Sequence, residues 1–177
     1  MKTDVVIVGT GNIAFKHASI IRKLYPKKII SLYNYRKKVF SKKDINDYKI
    51  SNIFNSILNE NDEVIPKNID SFAIIASPAS HHIKHSLIFA KKKFHLLLEK
   101  PLTSENIRLN SLVGDLKRNN LISHVAYNMQ FLSCMIMLKN ILTKKLYGKP
   151  LHCNITALTN FINWRPNKNF KKTVTAS

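Results

Sequence analysis

The sequence predicts an α/β fold, a doubly wound and mostly parallel sheet with helices on both faces, followed by the first elements of a second, α+β domain. Three observations carry this expectation. Short apolar runs are each followed by a segment with apolar residues at helical spacing. The first run, Asp4-Val5-Val6-Ile7-Val8, stops at Gly9 and leads directly into a helical segment. The runs are apolar throughout rather than alternating, as strands covered on both faces are.

Taken in order, residues 4–8 form the first strand and residues 13–24 the first helix, which ends before Pro26. Residues 29–33 supply the second strand and complete a βαβ unit. In the polar stretch beyond it, a helix is expected near residues 41–47, a short strand near 49–53 and a helical segment around 55–59. Residues 72–76 restore a buried strand, ended at Pro78, and a helix follows over about 80–92. Residues 94–98 form the next strand. Residues 104–119 suit a helix with Ser104 as its cap, and 121–126 a sixth strand. Residues 131–146 form a long amphipathic helix broken by Gly148 and Pro150, after which 151–158 alternates as a new strand. The domain boundary is placed after residue 126, with residues 127–177 opening the second, incomplete domain.

The chain's 177 residues suit one domain and part of another, and 45% hydrophobic content is ordinary for a globular protein. No stretch reaches the roughly 18 apolar residues of a membrane helix, and the start lacks the zones of a signal peptide, so a cytoplasmic protein is expected. Cys134 and Cys153, each in an apolar segment, read as core residues. The net charge of +19 invites a nucleic-acid reading. Yet the lysines lie in short runs at the ends of elements, with no basic-aromatic interleaving or helix-turn-helix signature. No specific nucleic-acid partner and no membrane partner is expected.

Gly9-Thr10-Gly11-Asn12-Ile13-Ala14 is a G-x-G-x-x-A turn between a strand and a helix. The first glycine permits the tight turn, the second admits a pyrophosphate to the backbone, and Ala14 keeps the helix close to the sheet. These residues predict a dinucleotide site. An NAD site normally has an acidic residue at the end of the second strand to bond the ribose 2′-hydroxyl. Here Asn34-Tyr35-Arg36 stands there, with no carboxylate, and Arg36 suits a 2′-phosphate and an adenine face. NADP(H) is therefore favoured over NAD(H). His81, His82 and His85 share a helix start, but no carboxylate or cysteine cluster joins them, so no metal is expected, and His81 and His85 read as surface residues.

Ser77-Pro78-Ala79-Ser80-His81-His82, followed at family spacing by Glu99-Lys100-Pro101, resembles the paired signatures of the glucose-fructose oxidoreductase / inositol dehydrogenase (Gfo/Idh/MocA) family. Tyr127-Asn128-Met129-Gln130-Phe131 resembles the segment joining that family's two domains, and Tyr147-Gly148-Lys149-Pro150 the turn before the first strand of the second. The resemblance implies a Rossmann-type first domain and hydride transfer between a nicotinamide cofactor and a sugar or polyol-like hydroxyl or carbonyl. It implies that Lys100 lies near nicotinamide and substrate as the catalytic lysine, that Glu99 contacts the nicotinamide ribose, and that Ser77, Pro78, His82 and Asn128 line the same cleft. Trp164-Arg165 resembles a motif of one branch, associated with surface-polysaccharide or sugar-nucleotide pathways, in which these side chains approach the cofactor. Two positions depart from the pattern. Gln130 stands where arginine is common, and Lys93 where a glycine usually closes the helix, so a left-handed cap at Lys93 is expected to cost about 1 kcal/mol.

The family's glycine-rich segment with its spaced Asp and His would follow the Trp164 region. Residues 1–177 are therefore expected to bind dinucleotide without turnover and to self-associate through their C-terminal part. The competing readings are a non-catalytic dinucleotide-binding module and, third, a basic nucleic-acid-binding protein.

Overall fold

The computed structural model describes residues 1–36, 40, 50–103, 108–156 and 158. It divides into two compact units, Met1–Tyr127 and Asn128–Ser177.

In the first unit a six-stranded sheet is built from β2 (Val5–Val8), β3 (Ile30–Tyr33), β4 (Ser56–Leu58), β6 (Phe72–Ile75), β7 (His95–Leu98) and β8 (Ser123–Val125). The spatial order is β4-β3-β2-β6-β7-β8, and every pairing is parallel. From β2 the chain winds outward to β3 and β4, then returns to β6 on the other side of β2 and winds outward again. Two short strands outside this sheet, β1 (Lys2–Thr3) and β5 (Ile65–Pro66), pair with each other; neither is apparent from the sequence pattern.

Apolar residues on both sides of the strands explain the two layers of helix. Val5 and Ile7 point into a cluster with Ala14, Phe15 and Ala18 of α1 (Asn12–Leu24) and with Ile50 and Ile53 of α2 (Ile50–Ile53). Val6 and Val8 point the other way, toward Ile83, Phe89 and Ala90 of α3 (His82–Lys91) and Leu112 and Leu116 of α4 (Leu109–Arg118). The alternation follows from the two-residue period of a strand.

The register places the site. Val8 pairs with Tyr33 and Ile75, Ile75 with Leu98, and Leu98 with Val125. The loops that begin at Gly9, Asn34, Ala76 and Glu99 therefore leave the sheet along one edge, on both sides of the point where the winding reverses. Open parallel sheets bind ligands there.

Several expectations are corrected. Residues 50–53 are helix rather than strand, because Ile50 and Ile53, at i and i+3, turn one apolar face onto the α1 layer. Residues 56–58 are strand rather than helix: they extend the sheet beside β3, with Leu58 buried and Ser56 Oγ donating to Ser31 Oγ at 3.0 Å. Tertiary pairing outweighs the weak local preference in both places. The helix expected at 41–47 and the Ser104 cap lie outside the described residues.

The second unit begins with a 3₁₀ turn, Asn128–Phe131, and continues into α5 (Ser133–Lys144). Its residues 151–156 and 158 form no strand, since no described strand of this unit is present to pair with them. Cys134 and Cys153 are exposed rather than core, because this unit buries none of its described side chains. Among the described residues no helix is long and apolar enough to cross a membrane.

Candidate functional site

The site is built around the turn from β2 into α1. Gly9 has φ +125°, and a Cβ there would stand 2.7 Å from the carbonyl oxygen of Ala76, so only glycine lets the turn pack against the end of β6. Gly11 is different. It is exposed, its backbone is extended, and a Cβ would meet nothing within 4 Å. The first helical bond runs from Phe15 N–H to Gly11 C=O at 3.2 Å. Among the described residues Gly11 receives no side-chain cap and the first turn carries no acidic residue, so the positive end of the helix has no negative side chain of its own. Thr10 is half-buried, while Asn12 and Ile13 are exposed at the helix start. These residues fit a pyrophosphate, which needs clear approach to backbone N–H groups and no competing negative charge.

At the end of β3, Asn34 is buried and its N–H donates to the carbonyl of Leu58 at 2.8 Å. Arg36 is exposed, and its guanidinium carbon lies 5.4 Å from the centre of the Tyr35 ring. Tyr35 in turn packs on His85, with ring centres 4.5 Å apart, and on His81, at 5.7 Å. Burial pushes the Tyr35 phenol above its ordinary range, while the Arg36 charge pulls it down.

The two turns on the far side of β2 are tied together by histidines. His82 is buried, with Nε2 2.7 Å from the carbonyl oxygen of Ser77 and Nδ1 2.8 Å from that of Pro101. It links the turn after β6, where Pro78 is exposed, to the turn after β7. His85 corrects the surface reading: it is 3% exposed and its Nδ1 lies 2.9 Å from Ser77 Oγ. The three-residue spacing to His82 put it on the sheet side of α3. Burial, helped by the positive charges around His81, Lys84 and His82, pushes His85 down to about 4.

At the end of β7, Glu99 is half-buried, and its carboxylate has two partners. His17 Nε2 on α1 lies 2.7 Å from Oε1, and the backbone N–H of Lys100 donates to Oε2 at 3.2 Å. Lys100 is exposed and begins the Lys100–Pro101 cis peptide. Sequence reasoning missed His17, since nothing in a linear pattern pairs residues 82 positions apart. Asn128 is exposed in the second unit. Trp164 and Arg165 lie outside the described residues. Lys93 has the expected left-handed backbone, φ +65°, between α3 and β7.

Residues 3–127 match the model of an oxidoreductase family with an NAD-binding Rossmann fold, Gfo/Idh/MocA. The chain is 24% identical over 175 residues to the glucose-6-phosphate 3-dehydrogenase of Bacillus subtilis (strain 168), covering 94% of this chain and 47% of that protein. It is 29% identical over 111 residues to oxidoreductase P35 of Formosa agariphila, covering 58% of this chain and 35% of that protein. The chain thus spans about half or less of the length of these curated relatives. Among solved structures, the WlbA dehydrogenase from Chromobacterium violaceum, in complex with NADH and UDP-GlcNAcA, superposes with a TM-score of 0.63 at 15% identity, over 83% of this chain and 41% of that one. The apo scyllo-inositol dehydrogenase from Lactobacillus casei gives 0.62 at 14% identity, over 83% of this chain and 43% of that one. These likenesses show the fold.

Proposed function

The chain belongs to the Gfo/Idh/MocA oxidoreductase family with its NAD-binding Rossmann fold, and on that premise we propose that residues 1–127 hold a nicotinamide dinucleotide as the cofactor half of a sugar- or polyol-directed dehydrogenase. The observation that carries the reading is the opening above Gly11 beside the start of α1, set in the same edge as Asn34, Ser77 and Glu99. Gly9, Thr10, Gly11, Asn12 and Ile13 receive the pyrophosphate, and Asn34 and Arg36 the adenosine end. Ser77 and Pro78, braced by His82, form the wall on the other side, and Glu99 bonds the nicotinamide ribose.

The bound nicotinamide supplies the two-electron carrier for oxidising a hydroxyl or reducing a carbonyl. Lys100, as the catalytic residue, holds a proton at Nζ and polarises the reacting oxygen of the substrate. Sugar-like substrates are favoured because the relatives named above include a glucose-6-phosphate 3-dehydrogenase. NADP(H) is preferred to NAD(H), since Arg36 is exposed where an NAD site places a carboxylate. The protein works in the cytoplasm and self-associates through the second unit, whose α5 exposes Ile136, Met137, Leu138 and Leu142.

Gly11→Val tests the reading. A Cβ there meets nothing within 4 Å yet stands in the space assigned to the pyrophosphate, so NADPH binding, followed by fluorescence, should fall at least about tenfold while the chain stays folded, with stability lowered by no more than about 1 kcal/mol for the poorer N-cap. Undiminished binding would sink the proposal.

A further inference from the structure

We propose that His17 is a positioning residue of the dinucleotide site, holding the Glu99 carboxylate in the orientation that receives the nicotinamide ribose. The inference rests on the reading above, in which Glu99 meets that ribose. It begins from a pairing between two elements that reach the site separately: α1 brings His17 there and β7 brings Glu99, with Nε2 and Oε1 2.7 Å apart. Side-chain exposures of 20% and 14% place the pair partly out of water, where a charge-assisted bond is stronger than at an open surface.

The local sequence explains how His17 arrives there. Ala14 and Ala18 are fully buried beneath α1 and let the helix lie close to the sheet. His17 is one turn from Ala14 and adjoins Ala18, so it flanks the buried stripe instead of facing away from the sheet. Glu99 is anchored at its backbone, its N–H donating to the Ile75 carbonyl at 2.9 Å. Its side chain still has three rotatable bonds. The Lys100 N–H, at 3.2 Å from Oε2, and His17 on Oε1 fix the carboxylate from two sides. Each oxygen keeps a second lone-pair direction, so a ribose hydroxyl can donate to a group that no longer needs to be ordered on binding.

His17 therefore acts on one end of the cofactor only, which separates positioning from a general structural role. In the 177-residue chain, His17→Ala should weaken NADPH binding about five- to tenfold, as expected when the cost of ordering one side chain returns to the binding step. It should leave ADP binding within about twofold, because ADP carries no nicotinamide ribose. His17→Gln, which keeps an N–H donor at similar reach, should restore most of the NADPH affinity. Adding His17→Ala to Glu99→Ala should cost nothing further, since the two residues act through one contact. Equal weakening of NADPH and ADP, no weakening of either, or full additivity with Glu99→Ala would overturn the assignment. A parent chain that binds neither ligand would instead overturn the dinucleotide reading itself, and His17 with it.

Discussion

The carbonyl oxygen of Ala76 lies where Gly9 has no side chain, 2.7 Å from the point a Cβ would occupy. This contact presses the end of β2 against the end of β6, at the place where the winding of the sheet reverses. Gly9→Ala meets both the backbone of Ala76 and an unfavourable φ of +125°. A loss of about 2–4 kcal/mol in unfolding free energy is expected by denaturant titration. Gly9 and Gly11 thus part company: substitution at the first is expected to cost stability, whereas at the second a Cβ meets nothing within 4 Å and the expected cost is in affinity.

Arg36→Asp should reverse cofactor choice. The guanidinium stacks on Tyr35 at the end of β3, where a carboxylate would bond the 2′-hydroxyl of NADH and repel the 2′-phosphate of NADPH. The ratio of NADPH to NADH affinity should fall by about tenfold or more. Equal affinity of the parent for both cofactors would remove Arg36 from the discrimination.

His85 makes stability depend on pH in the mildly acidic range. In the unfolded chain its ring takes a proton near 6.5, whereas burial holds the folded value at about 4. Between those values the unfolded state binds more protons, so stability is full above about pH 6.5 and is lost as pH falls toward 4, by on the order of a few kcal/mol. Urea midpoints of the parent and His85→Gln measured from pH 7.5 to 4.5 should converge as the pH falls. Parallel curves would show that His85 titrates alike in both states.

Arg22→Lys should destabilise the first unit although the charge is kept. The guanidinium donates to the carbonyls of Ile53, Pro26 and Lys28 and to Asn55 Oδ1, at 2.6–3.0 Å. It pins the end of α1 to the segment that enters β4. An ammonium cannot reproduce that fork, and a loss of about 1–3 kcal/mol is expected in thermal or chemical unfolding.

Arg22 also shows what a linear reading misses. As one of 29 basic residues it looks like solvated surface, and its importance comes from carbonyls that only folding brings near. The same holds for His17 beside Glu99 and for His85 beneath Tyr35. The strands of the main sheet were legible where burial on both faces made them continuously apolar, as in residues 5–8 and 72–75. Legibility failed over residues 50–58, where elements of three or four residues are too short to show a period and long-range pairing decides their form. The glycine turn was legible because its chemistry is a property of the backbone. The expected strand at residues 151–158 was not met among the described residues, since alternation supplies a face but no neighbour.

Val8, Tyr33, Ile75, Leu98 and Val125 stand in one row across the sheet, and this sets a rule for how such a chain can vary over time. A residue inserted within β3 or β6 would exchange the faces of all that follows in the strand and carry its outgoing loop one step away from the others. Inheritance through this part of the molecule therefore tolerates replacement far more readily than a change of length. By the same reasoning a change of length fits better in the connections at the opposite edge, while the edge from which the loops at Gly9, Asn34, Ala76 and Glu99 leave keeps its spacing when only side chains are exchanged.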